Sequence, residues 1–260
     1  MSAGFALDDA AWASRWRHRR VADKAVLSFG LLACAVALPP WPGAAATGVA
    51  ALAVLLLGAR VRARTLALAL AVPAAFIATG AVPLLLTLTW ESGPHVGISP
   101  ETVGAAASVV VRALAATTAV FVLASTTPMV DVLAALRRAR VPDACVEVAG
   151  LTYRFVFLLL ESAATIREAQ AARLGYTDRR RALRSSAQLV GAVLLRSWDR
   201  ARRLEEGLAG RGDTTTLRTF DPPATSSPRF VAASLGLVAL VVVLGLAGPA
   251  LASALAGVAS

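Results

Sequence analysis

Long apolar runs alternate along this chain with short basic or turn-rich breaks. The first run, 25–38, stops at Pro39-Pro40-Trp41-Pro42-Gly43 and resumes over 44–57. Each arm is short for the ~20 residues a membrane helix needs. The basic border and the turn residues can extend both arms, so the pattern predicts a tight transmembrane hairpin, with a re-entrant pair as the less favoured alternative. A third span is predicted over Thr65–Thr89, with Pro73 and Pro83 inside it. Proline is tolerated in membrane helices because neighbours satisfy the freed carbonyls. Trp90–Glu101 reads as a loop, Thr102–Ala124 as a fourth span, and Phe230–Val258, broken at Gly248-Pro249, as a fifth. The predicted fold class is all-α: a polytopic membrane protein with about five transmembrane helices, four within 25–124 and the last within 230–260. A basic segment, 1–24, precedes them, and a region of amphipathic helices occupies 125–229.

That polar region has its own pattern. Thr127 as N-cap and Pro128 at the first helical position predict a helix start, with Asp131 in the first turn, where the dipole favours an anion. Val132, Leu133 and Leu136 make this helix amphipathic, and Arg137, Arg138 and Arg140 close it before Pro142. A second helix is predicted from Asp143 to Arg173, ending at Gly175 as the glycine that takes the left-handed position. Thr177 or Asp178 can cap a third. Its apolar residues Leu183, Val190, Leu194, Trp198, Ala201, Leu204 and Leu208 recur mostly at three- and four-residue steps. It is predicted to end at Arg211-Gly212. Plain capping accounts for either Arg-then-Gly ending alone. Two in tandem between membrane spans suit docking into a soluble partner, because guanidinium makes planar, forked bonds to carboxylates and carbonyls.

Composition supports the membrane reading. Of 260 residues 57% are hydrophobic and 16% charged, and the mean hydropathy is +0.66. These values exclude a disordered chain and argue against an ordinary cytosolic enzyme. The net charge of +10 is explained by topology: 17 of the 26 Lys and Arg lie in 125–229, 5 in 1–24 and 3 in 58–64, and Arg112 stands within the fourth span. The loops 39–43 and 90–101 carry none. The positive-inside rule then puts the N-terminus and 125–229 in the cytoplasm of a multi-pass inner-membrane protein. Nucleic acid is not an expected partner, since the aromatic interleaving of a single-strand binder is lacking. Cys34 and Cys145 read as two small apolar side chains. With Lys24 the only lysine, no Gly-x-x-x-x-Gly-Lys loop exists, so the chain is not an ATPase of that type. No cofactor or resident metal is expected, and His95, between Glu91 and Glu101, reads as part of a solvated loop.

At this point the sequence resembles the T component of energy-coupling factor transporters, most closely the cobalt/nickel-type membrane subunit. The resemblance covers nearly the whole chain. It rests on Arg112, Ser125-Thr126-Thr127-Pro128, Pro142, Tyr153-Arg154-Phe155, Glu161, the Ala169–Gly175 ending and Leu189–Gly212. It implies a non-catalytic coupling subunit of an ATP-driven importer, in contact with the lipid bilayer. Two cytoplasmic helices ending in Ala-Arg-Gly motifs would dock on ABC-type ATPase subunits and pack on a substrate-binding S component, with cobalt or another transition-metal ion as cargo. Carried over, the motifs are Ala172, Arg173 and Gly175, with Leu174 intervening, and Gly210, Arg211 and Gly212, with Gly in place of Ala. An intramembrane Arg is costly and should face protein or water. Arg112 reads either as an S-component contact or pivot, or as a buried Arg paired with backbone carbonyls. A polytopic enzyme using Arg112, Glu91, His95 and Glu101, and a self-sufficient secondary transporter, are the rival readings. Against the second stand the lack of an internal repeat and of acidic residues in the predicted spans between 25 and 124.

Overall fold

The computed structural model describes residues 10–85, 87–89, 95–97, 99–210 and 226–258, with 87–89, 95–97 and 248–258 described by backbone alone. It divides into two units, Met1–Val132 with Pro222–Ser260, and Leu133–Asp221. Among the described residues the regular elements are helices apart from one short strand pair.

In the first unit, α1 (Val21–Ala37) is followed by a helical rod, Pro40–Gly58, whose middle is α2 (Ala45–Ala53) and whose end turns are widened. Then come α3 (Ala63–Ala81), strands β1 (Thr87–Thr89) and β2 (His95–Gly97), α4 (Pro100–Ala124) and α8 (Pro228–Val258). Among the described residues four helices are long and apolar enough to cross a membrane: Pro40–Gly58, Ala63–Leu85, Pro100–Ala124 and Pro228–Ala247. The sequence pattern led to five. The remaining one, α1, has 17 residues, or about 25 Å at the helical rise, and carries Asp23 and Lys24 in its first turns.

Three expectations are corrected. The third span was expected to reach Thr89, but α3 ends at Ala81 and passes through one tight turn, Val82–Leu85. Pro83 has no N–H to continue the ladder, and Thr87–Thr89 instead pairs antiparallel with His95–Gly97, Leu88 opposite Val96. That strand pair falls within the predicted span end and loop. Second, α4 begins at Pro100 rather than Thr102. Ser99 caps it, its Oγ accepting from the Glu101 N–H at 3.2 Å while its own N–H donates to Thr102 Oγ1 at 3.0 Å; Pro100 suits the first helical position. Third, α8 continues as helix through Gly248-Pro249 to Val258.

The core of this unit forms around α4, on which α1, α2 and α3 all pack. Leu27, Leu31, Leu55, Val122 and Val241 are buried in it, with Cys34 among them. Cys145 is exposed, and both cysteines are free thiols. Lipid tails are as apolar as Leu, so membrane helices associate through close packing and hydrogen bonds. Both devices are present. A Cβ added to Gly245 of α8 would lie 2.8 Å from Leu38 Cδ1 and 3.1 Å from Gly43 Cα, so the backbones approach where only glycine fits. Helix α1 runs antiparallel to α4, with three side chains bonded to the other segment's carbonyls. Lys24 Nζ donates to Thr126 O at 2.8 Å, Ser28 Oγ to Ala119 O at 2.7 Å, and Arg112 Nη2 to Leu38 O at 3.0 Å.

The first of these bonds lies at the Ser125-Thr126-Thr127-Pro128 turn, which is buried. Lys24 is fully buried and places its ammonium at the carbonyl end of α4, where the helix dipole favours a cation; burial works against the charge, and Asp131 partly offsets that. Beside it, Asp23 Oδ2 accepts from the Ser227 N–H at 3.3 Å, just ahead of α8. Thr127 is not the N-cap expected of it. The next helix, α5, is Met129–Arg138. The Pro128 carbonyl takes its first bonds, from Asp131 N and Val132 N, and the Thr127 hydroxyl is buried with no hydrogen-bond partner among the described residues.

Replacing Lys24 by Met removes a charge-assisted bond from a buried carbonyl. We expect a loss of about 1.5–3 kcal/mol, read as a lower thermal midpoint in detergent, against about 0.5–1.5 kcal/mol for Ser28→Ala. An unchanged midpoint for Lys24→Met would contradict the assignment.

Candidate functional site

The second unit contains two long helices, α6 (Asp143–Ala172) and α7 (Arg179–Ala209), which pack on each other. The first sequence-derived motif, Ala172, Arg173 and Gly175, falls at the turn between them. Of the two candidate caps for α7, Asp178 is the one used: its Oδ1 accepts from the Arg181 N–H at 2.8 Å.

The turn closes differently from the expectation. Gly175 was expected in the left-handed position, but Leu174 occupies it, with φ 58. Arg173 is the C-cap, with φ −93 and ψ 19. The Leu174 N–H donates to Ala171 O at 3.0 Å and the Gly175 N–H to Gln170 O at 2.9 Å. These are the two bonds of a Schellman ending, with leucine where glycine is usual. Gly175 is required for a different reason: a Cβ there would lie 2.7 Å from Ser185 Oγ and 2.8 Å from Gln170 O. Leucine at positive φ costs roughly 1–2 kcal/mol, and such strain persists only where surrounding contacts hold it.

Those contacts centre on Gln170 and Ser185. Gln170 Nε2 donates to Ser185 O at 3.0 Å, and its Oε1 accepts from the Tyr176 hydroxyl at 2.7 Å. Buried Ser185 donates through Oγ to Gly175 O at 2.9 Å. Arg167 lies over the Tyr176 ring at 5.9 Å. The network fixes the turn and leaves its tip outward. Leu174 is 64% exposed, and Arg173 is exposed with no ion pair or hydrogen bond from its guanidinium among the described residues. The arrangement is a rigid corner presenting one guanidinium beside one apolar side chain. Sequence reading missed Leu174, Gln170 and Ser185 as parts of it.

Of the second motif, Gly210 is the C-cap of α7, in right-handed conformation with φ −68, its N–H donating to Glu206 O at 3.1 Å. Arg211 and Gly212 lie outside the described residues. The apolar stripe of α7 is present but open: Leu183, Val190, Leu194 and Trp198 are 64% to 74% exposed.

In the first unit, Arg112 is half-buried. Besides its bond to Leu38 O, its Nε has no hydrogen-bond partner among the described residues. Glu91 lies outside the described residues and the His95 side chain is not described. Glu101 is exposed eleven residues before Arg112 on α4, about 16 Å away along the axis, so the structure does not bring these two together. Among the described residues no group of three or more His, Cys, Asp or Glu could hold a metal ion.

Two substitutions separate space from strain at the corner. Gly175→Ala should destabilise the α6–α7 unit by about 1–3 kcal/mol by overpacking, whereas Leu174→Gly should stabilise it by about 1 kcal/mol by relieving the left-handed leucine. Chemical denaturation followed at Trp198 reads both, and the same sign for the two would refute this description of the turn.

The chain resembles known proteins over most of its length. A family model described as cobalt transport protein CbiQ matches residues 13–219. A cobalt transport protein CbiQ of Rhodobacter capsulatus is 45% identical over 240 residues, covering 92% of this chain and 97% of the relative. One from Salmonella typhimurium is 30% identical over 201 residues, 73% of this chain and 88% of the relative. A chain of Methanocorpusculum labreanum named as a fused cobalt transport protein, CbiMQ, is 29% identical over 208 residues, 76% of this chain and 35% of the relative. With four helices long and apolar enough to cross a membrane, this is a multi-pass membrane protein, and it belongs to the CbiQ cobalt transport protein family, the T-component family its sequence resembles.

Proposed function

We propose that this chain is the non-catalytic coupling subunit of an energy-coupling factor importer for cobalt or another transition-metal ion. ATP binding closes partner ABC-type ATPases, and the α6 and α7 helix ends pass that movement to a substrate-binding S component. The observation that carries this reading is the α6–α7 corner. A fixed turn with an unpaired, outward guanidinium is built to meet a carboxylate or carbonyl on another protein. Arg173 takes that role there, and Arg211 the equivalent role after α7.

Further features support the rest. The open stripe Leu183, Val190, Leu194 and Trp198 is an amphipathic face without a cover among the described residues, as expected of a helix that packs on another protein. Arg112 is half-buried, so part of its side chain remains accessible for a contact to the S component. The Lys and Arg distribution supports a cytoplasmic N-terminus and a cytoplasmic α6–α7 unit, on the side where ATPases reside. The relatives' names supply cobalt, and the fused relative, of which this chain matches 35%, fits a chain that works beside other components.

The test is co-purification of the tagged chain with candidate ATPases in detergent. Wild type should retain the ATPases. Losing one interface Arg against a partner carboxylate costs about 2–5 kcal/mol, so Arg173→Glu and Arg211→Glu should each release them while the melting temperature holds. Release by Arg211→Glu alone would remove Arg173 from the interface. No retention by wild type, with any candidate set, would overturn the coupling reading.

A further inference from the structure

A cavity of about 410 Å³ opens in the first unit where three membrane helices end together. Arg15, Trp16 and Arg19 of the segment before α1 line it, with Leu27 of α1, Val54, Leu57 and Gly58 of the rod, and Phe230, Ala233 and Leu237 of α8 among the other lining residues. Trp16 fixes this meeting point. Its ring stands edge-on to Phe230 at 4.9 Å, and a Cβ on Gly58 would lie 2.7 Å from its Cζ2. The lining changes character with depth. From Phe230 to Leu237 is seven residues along α8, about 10 Å, so the guanidiniums sit at the helix ends and the aliphatic side chains deeper in the span.

Neither Arg15 nor Arg19 has a carboxylate partner among the described residues. Arg19 stacks over the Phe230 ring at 4.3 Å, which holds its guanidinium at the mouth. The cavity therefore offers two positive charges with no carboxylate partner among the described residues, at the level of lipid headgroups, continuous with an apolar cleft at the level of acyl chains. Volume alone would suit many ligands. The combination with a membrane border selects an amphiphile with an anionic head, as basic pockets between membrane helices do.

We propose that this cavity is a binding site for one anionic phospholipid, its phosphate held by Arg15 and Arg19 and one acyl chain lying along Leu27, Val54, Ala233 and Leu237. The lipid would seal the contact between the N-terminal segment and α8. This site is independent of the α6–α7 corner and of its partners.

Native mass spectrometry of the full chain tests it, with dioleoylphosphatidylglycerol or dioleoylphosphatidylcholine titrated into the detergent. Wild type should retain one phosphatidylglycerol with roughly thirtyfold preference over phosphatidylcholine, the effect of two arginines at a membrane surface. The double variant Arg15→Gln/Arg19→Gln should lose that preference, and Ala233→Phe, which fills the apolar cleft, should lower phosphatidylglycerol retention with both arginines in place. Inorganic phosphate at the same concentration should not displace the lipid. Equal retention of the two lipids by wild type would overturn the proposal, whatever the variants do. So would an unchanged preference in a folded double variant, or displacement by inorganic phosphate, which would make this a site for the free anion.

Discussion

Two neighbouring side chains of opposite charge, Asp23 and Lys24, set the start of α1 against two helix ends of opposite polarity. The carboxylate meets the N–H just ahead of α8, and the ammonium meets a carbonyl just past α4. Each sign matches the dipole of the end it touches. The same α1–α4 pairing continues through Ser28 and closes where Arg112 reaches the Leu38 carbonyl, whose helical partner four residues on would be Pro42, which has no N–H. Leu–Leu contact gains little over Leu–lipid contact inside a bilayer. Specific side-chain-to-carbonyl bonds and the glycine approach of Gly43 to Gly245 therefore decide which helices pair and in what register. Arg112 consequently has a structural task.

The α6–α7 unit follows another logic. Little of it is buried: Val146 is the buried residue of α6 and Ser185 that of α7. Its fixed point is the polar network of Gln170, Gly175, Tyr176 and Ser185, which holds Leu174 in a backbone conformation leucine rarely adopts. Strain kept in place at an exposed corner, beside an unpaired arginine, is the arrangement expected of a contact surface whose shape matters more than the stability of the turn. The longer of these helices, α7, also carries an exposed apolar stripe, Leu183, Val190, Leu194 and Trp198.

The apolar runs, the basic breaks and the three-residue and four-residue steps made the helices legible from sequence, because burial in lipid and on one helix face leaves a period in the chain. Helix ends were less legible. Glycine was read as the stop signal at 175, yet the left-handed residues that follow helices here are Arg60, Arg140 and Leu174, and nothing in their type announces that conformation. Pro128 was read as the first helical residue after a Thr127 cap, but burial of the turn and the Lys24 bond govern its geometry, and those depend on a residue about a hundred positions away. The strand pair after α3 was missed because Thr-Leu-Thr continues an apolar run, and only Pro83 marked the break. Lys24 did carry a signal: a lone lysine beside an aspartate at the edge of an apolar run is an expensive pair to place there without a partner.

The central claim is that the corner at Arg173 and Leu174 meets the ATPase. A photo-cross-linking side chain in place of Leu174, activated in membranes from cells expressing the whole transporter, tests it directly. The account predicts an ATPase adduct from position 174 and none from the same probe in place of Trp198, on the exposed stripe of α7. ATPase adducts from position 198 with none from position 174 would contradict it.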